Sequence, residues 1–178
     1  MDDNNRFKEI LTAQQLWEKP ISLQRNEHLV VKGAVNTLTY FVVSGSLRIY
    51  VQDETDEHTI RFGYKNSFIS VLDSFLKNTP TEFYIQAIKQ TELLCVKKES
   101  LNMLLAENPE MASFWQRLLE SLVVQQLERE VDLLTSSPIE RYKRVLKRSP
   151  QLFQEIPSKY IASYLRMTPE TLSRIKKS

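Results

Sequence analysis

The sequence predicts an α+β fold in three successive parts: a double-sheeted β-roll of jelly-roll type over residues 1–108, one long connecting helix over 109–135, and a helix-turn-helix unit over 136–178. Three observations predict it. Short runs rich in β-branched and aromatic residues crowd the stretch before Lys97, the apolar period then changes from two to about 3.6, and Thr168-Pro169-Glu170 near the end opens a fresh helix with a capping residue, a first-position proline and a first-turn acid.

Element by element, Phe7, Ile10, Leu11, Leu16 and Trp17 fall at roughly helical spacing, and Pro20 closes that helix. Strands are expected at Leu29–Gly33, Thr39–Val43, Leu47–Val51, Thr59–Phe62, Tyr84–Ile88 and Glu92–Val96, with reversals at Ser44-Gly45-Ser46 and Asp53–Glu57. In Leu47–Val51 the apolar Leu47, Ile49 and Val51 alternate with Arg48 and Tyr50, which predicts a sheet with one face in water. Beyond Pro109 the residues Trp115, Leu119, Val123, Leu127, Val131 and Leu134 are spaced 4, 4, 4, 4 and 3, while Met111, Phe114, Leu118 and Leu122 widen the stripe. One helix to Leu134 would cover the roll and keep apolar surface to spare. That surplus predicts a homodimer paired along Trp115, Leu119, Leu122, Val123, Gln126 and Leu127. Ser136-Ser137-Pro138 ends the rod, Ser137 caps the next helix, and Ser149-Pro150 breaks the chain again.

Composition narrows the function. With 42% hydrophobic and 26% charged residues in 178, the chain is of ordinary globular make-up, and the polar start Met1-Asp2-Asp3-Asn4-Asn5 is unlike a secretory signal, so a cytoplasmic protein without a membrane partner is expected. One cysteine, Cys95, excludes a disulfide within the chain, a four-cysteine cluster and a cysteine-based zinc site; His28 and His58 sit in no ligand spacing, so neither metal nor cofactor is expected. Three glycines leave little for a phosphate-cradling loop, and no nucleophile elbow or paired-carboxylate site appears, so an enzyme is not expected and no catalytic residue is assigned.

Charge is unevenly distributed. From Ser136 onward ten basic residues stand against three acidic ones, an excess of seven, so the preceding part carries a net −5 within the overall +2. A basic tail on an acidic body suits a polyanionic partner. Within it, Ser158 to Lys177 reads as two helices around a tight turn, with Ile161, Ala162, Leu165, Met167, Leu172 and Ile175 inward. The second helix would present Pro169, Glu170, Thr171, Ser173, Arg174 and Lys177 to a DNA major groove, with Thr168 at its cap and Lys159 on the helix before. Arg174 suits a guanine edge and Glu170 a cytosine amine. Arg166 occupies the turn position where glycine is usual, at a cost of about 1 kcal/mol.

In this order of parts, and in Val43-Ser44-Gly45-Ser46-Leu47, Gly33 and Ile156-Pro157 through Arg174-Ile175, the chain resembles the Crp/Fnr family of bacterial transcription regulators over essentially its whole length. The resemblance implies a cyclic-nucleotide-binding-like roll, a homodimer, a palindromic double-stranded operator and RNA polymerase as a further partner. It fails at the phosphate cassette. Nucleotide-binding members read approximately Phe-Gly-Glu-Leu and, further on, Arg-Ser/Thr-Ala; here the text is Phe68-Ile69-Ser70-Val71-Leu72 and then Thr81-Glu82-Phe83, with Ser70 for glycine, Val71 for glutamate and Thr81 for the phosphate-pairing arginine. Tight binding of cyclic AMP or cyclic GMP is therefore not expected. The pocket is expected to take another small effector, an apolar one beside Phe68, Val71, Phe75 and Phe83, or none. Members also continue into a β-hairpin wing where this sequence runs to Ser178, which leaves phosphate contact to Arg141, Arg144, Lys159, Lys176 and Lys177. The alternative from another class is a sensor or protein-interaction scaffold that no longer reads bases; the outward set Glu170, Thr171, Arg174 and Lys177 is what such a scaffold would not need.

Overall fold

The computed structural model describes residues 3–177; Met1 and Asp2 of the polar N-terminal stretch and the terminal Ser178 lie outside the described residues. Eight strands form two four-stranded antiparallel sheets. One is ordered β1 (Ile21–Leu23), β8 (Thr91–Lys97), β3 (Leu38–Ser44), β6 (Phe68–Ser70); the other β2 (His28–Val30), β7 (Tyr84–Ala87), β4 (Ser46–Gln52), β5 (Glu57–Tyr64). Their facing side chains, among them Tyr40, Val42, Leu47, Ile49, Ile69, Ile85 and Leu93, make the roll's core, with Cys95 buried as an apolar filler. Burial pushes the Tyr40 hydroxyl up to about 12, and Asn36 Nδ2 donates to it at 2.7 Å.

Two glycines shape the roll. Gly45 turns β3 into β4 at φ +91°, where a Cβ would lie 2.4 Å from the Gln90 carbonyl oxygen. Gly63 on β5 lets the two sheets close, since a Cβ there would fall 1.7 Å from Ile69 Cδ1.

Around the roll lie α1 (Asp3–Ala13), α2 (Leu72–Lys77) and α3 (Lys98–Glu107). The first helix ends at Ala13, earlier than the spacing through Trp17 predicts: Gln15 takes a left-handed turn, and Leu16 and Trp17 reach the same apolar cluster from the loop that follows. That cluster joins Phe7, Leu11, Phe75, Leu101, Met111 and Phe114, so it welds the first helix to the start of the long one. Phe75 belongs here and not to a pocket.

The long helix α4 spans Pro109–Leu134, with Asn108 Oδ1 accepting from the Met111 amide at 3.2 Å and proline at its first position. Helices α5 (Pro138–Arg148), α6 (Pro150–Glu155), α7 (Ser158–Tyr164) and α8 (Pro169–Lys177) follow. Their core of Val145, Leu152, Ile161, Ala162, Leu165 and Leu172 also takes in Ile88 and Phe62 from the roll. The C-terminal helices thus lie against the second sheet. This overturns one expectation: Arg48 and Tyr50, read as a wet face of β4, are 6% and 2% exposed because helix α7 and the His28–Tyr84 side of the sheet cover them.

Candidate nucleic-acid interface and effector cavities

Helices α7 and α8 meet through Ile161, Ala162, Leu165 and Leu172, all fully buried. The small Ala162 brings the backbones close, and its carbonyl accepts from the Met167 amide at 3.0 Å across the turn. Arg166 holds the expected left-handed turn at φ 54°. Thr168 caps α8 by accepting from the Thr171 amide at 3.2 Å. The residues assigned to the outer face are where the sequence puts them: Lys159, Thr168, Pro169, Glu170, Ser173, Arg174 and Lys177 are exposed and Thr171 is half-buried. The Glu170 carboxyl is held below the usual carboxylate range by its own backbone amide, the Thr168 hydroxyl and Arg174, so this face displays both an ionised acceptor and a forked donor.

Two of the cations expected to meet phosphate are committed elsewhere. Arg141 is 8% exposed; its Nη1 donates to the Thr135 and Ser136 carbonyls at 2.6 and 3.0 Å, its Nε to Leu165 O at 2.9 Å and its Nη2 to Arg166 O at 3.2 Å. It stitches the end of α4 to the helix-turn-helix turn. Arg144 pairs with the fully buried Asp132 at 2.9 Å, beside Arg148 at 2.5 Å. Lys159, Lys176 and Lys177 remain on the surface; Lys176 donates to Ser158 Oγ at 2.9 Å.

The α4 residues assigned to pairing divide between two faces. Trp115, Leu119, Leu122 and Gln126 line a cavity against the roll, whereas Val123 and Leu127 point to solvent at 61% and 58% exposure, continued by Val131 and Leu134. These four positions span about 80° of helical rotation.

The cavity between roll and α4 has a volume of about 190 Å³. Phe68, Ser70, Val71, Leu72 and Phe83 of the cassette line it; Thr81 and Glu82 do not. Thr81 is buried with its hydroxyl donating to both Asp73 oxygens at 2.8 and 2.9 Å, and Glu82 is exposed and paired with Lys32 at 2.6 Å. Asp73, which sequence reasoning passed over, also accepts from the amides of Ser74 and Glu82 at 2.8 and 3.1 Å. A carboxylate of the chain itself therefore occupies the donors of this turn. Arg61, also passed over, lines the cavity from β5, just past a register shift in the ladder with β4 that breaks the strand alternation between Thr59 and Arg61. His28 bonds to the Tyr50 hydroxyl at 2.9 Å and His58 to Asp53 at 2.6 Å, on separate parts of the sheet.

Two facing four-stranded sheets with a long helix and a helix-turn-helix behind them define the class, that of chains built on a cyclic-nucleotide-binding-type roll. The chain belongs to the cyclic nucleotide-binding domain family, whose model matches residues 20–108. Its fold is similar to that of a CooA mutant from Carboxydothermus hydrogenoformans (TM-score 0.76, 18% identity, 95% of this chain and 81% of that one). It is likewise similar to the c-di-GMP-responsive global regulator CLP of Xanthomonas campestris (TM-score 0.71, 16% identity, 97% and 90%) and to the catabolite activator protein of Thermus thermophilus (TM-score 0.59, 21% identity, 96% and 81%). No curated protein matches the chain. Among the described residues no helix is long and apolar enough to cross a membrane.

Proposed function

We propose that the protein is a homodimeric, sequence-specific DNA-binding transcription regulator that does not respond to cyclic AMP or cyclic GMP. In this reading residues 1–108 sense, 109–135 pair with a second copy and 136–178 read the operator. One observation carries it: a capped helix buries Leu172 and turns Pro169, Glu170, Ser173, Arg174 and Lys177 outward beside a net-basic surface. A helix so presented fits the major groove, Arg174 reaching a guanine edge while Lys159, Lys176 and Lys177 meet phosphate. The stripe Val123, Leu127, Val131 and Leu134 supports pairing with a second copy, because two such helices laid together remove apolar surface that one chain leaves in water. A two-fold pair would set its reading helices about 34 Å apart.

Insensitivity to cyclic nucleotides rests on the cassette. Its turn donors are taken by Asp73, and Val71 places a methyl-bearing side chain where a ribose hydroxyl would need an acceptor. The scaffold alternative has no observation in its favour, since a scaffold has no use for the outward set of α8. Fluorescence anisotropy of a labelled random-sequence duplex titrated with the protein at several salt concentrations tests the reading. Expected is binding whose logarithm falls linearly with log salt, by roughly 0.9 per phosphate neutralised; no salt-sensitive binding at low ionic strength contradicts it.

A further inference from the structure

A second cavity, of about 270 Å³, opens where β5, the C-terminal half of α4 and the α5–α6 junction converge. It shares Ile60, Arg61, Phe62 and Gln126 with the first, so the two lie side by side. Their chemistry differs. The first is walled by Val71, Phe83, Trp115, Leu118 and Leu122, whereas the second gathers three guanidinium groups, Arg61, Arg129 and Arg148, around one acid, Glu128. A single face of α4 runs through both: Trp115, Leu118, Leu122, Gln126 and Arg129 follow at spacings of 3, 4, 4 and 3, apolar at one end and cationic at the other.

Arg129 is the unusual member. It is 6% exposed, lies 3.9 Å over the Tyr164 ring, and its Nη1 is buried with no hydrogen-bond partner. The neighbouring acids are taken: Asp132 by Arg144 and Arg148, Glu128 by Arg148 at 3.4 Å. Burial lowers the affinity of both Arg129 and Arg61 for their protons, and among the described residues neither makes an ion pair with an acid of the chain. A guanidinium kept in such a place without an acceptor is costly, and the cost is recovered when an anion arrives. Arg129 also faces Tyr164 of the C-terminal helices, away from the Val123 and Leu127 stripe, so pairing of two chains along that stripe leaves it free to meet a ligand.

We propose that the two cavities form one effector site for a lipophilic carboxylate, its apolar body between the roll and α4 and its carboxylate on Arg61 and Arg129, within reach of Arg148. Together they reach the ~300–1,000 Å³ usual for a small-molecule site, with the apolar walls and few convergent polar groups such sites have. A planar carboxylate suits the guanidinium fork. Arg61 belongs to the roll, Arg129 to the connecting helix and Arg148 to the helical unit that ends in α8, so the head group would join all three parts. Only this last consequence rests on the regulator reading; binding itself does not.

The test is isothermal titration of the DNA-free protein with octanoate, decanoate, dodecanoate and 4-phenylbutyrate, each beside its alcohol, and with cyclic AMP. Expected is at least one acid that binds about tenfold or more tighter than its alcohol, an advantage lost in Arg129→Gln and reduced in Arg61→Gln, with the alcohol's affinity unchanged. Arg129→Gln removes an unpaired buried charge, so the free variant should melt no lower than wild type; if it fails to fold, the half-buried Arg61→Gln makes the same comparison. Binding by none of the acids, an alcohol or cyclic AMP that binds as well as the best acid, or an acid advantage that survives both substitutions overturns the proposal. Because no DNA is present, failure here leaves the DNA-binding reading standing, and failure of DNA binding leaves this site standing.

Discussion

The guanidinium of Arg48, on β4 of the roll, lies 4.8 Å from the ring centroid of Tyr160 on helix α7. The Tyr50 ring centroid lies 4.1 Å from the same guanidinium, which donates to Gln86 Oε1 at 2.6 and 2.9 Å and pairs with Glu57 at 2.6 Å. Beside it Ser163 Oγ donates to the Glu57 carbonyl at 3.1 Å and accepts from the Thr59 amide at 3.2 Å. The helix-turn-helix is therefore fastened to the roll of its own chain through a planar cation close to both rings and through the Ser163 hydroxyl. Replacing Arg48 by Met should cost about 1–3 kcal/mol of stability and raise amide exchange in α7 more than in β3. Denaturant titration and hydrogen exchange would check both; equal protection of α7 in the two proteins would show that the contact does not hold the helices.

Lys177 and Arg174 should separate by what they read. Arg174→Ala should cost about 1–3 kcal/mol on a selected operator and relax one base position per half-site, whereas Lys177→Ala should weaken all duplexes alike and reduce the salt slope by about 1. Anisotropy on the selected and on scrambled duplexes distinguishes them.

Leu127 is 58% exposed, so Leu127→Glu should leave each chain folded while placing two carboxylates against each other in a paired α4. Sedimentation should report a dimer for wild type and a monomer for the variant, with an unchanged far-ultraviolet spectrum. A variant that still sediments as a dimer would move the interface off this stripe.

The β4–β5 hairpin should be acid-sensitive. Asp53 accepts from the Thr55 amide, the His58 ring and the Asp56 amide, which hold its carboxyl well below the usual range. A depressed native pKa stabilises the fold above the unfolded value of about 3.9 and ceases to do so as pH falls through the native value. Melting between pH 5 and pH 2 should therefore lose less in Asp53→Asn than in wild type; parallel losses would remove Asp53 as the cause.

Local signals made much of this legible in the sequence. The start of α4 at Pro109, the Ser137 and Thr168 caps and the left-handed Arg166 are short-range chemistry, and each is where the text puts it. Long-range placement was not legible. Alternation in β4 predicts a wet face for Arg48 and Tyr50, because nothing in the strand records that α7 will cover it. Arg141 and Arg144 look like phosphate cations in a basic run, yet one is spent on four carbonyls and the other on buried Asp132. The Arg61–Arg129–Arg148 cluster joins residues from three separate elements, a meeting that no spacing in the chain could announce.

Selection of bound duplexes from a random pool, with wild type and Arg174→Ala side by side, decides whether α8 reads DNA as one half of a two-fold pair. Wild type should enrich a two-fold-related site with half-site centres about 34 Å apart, and Arg174→Ala should lose preference at one base pair in each half. A pool that stays random, or the same site enriched with undiminished preference by both proteins, would contradict that reading.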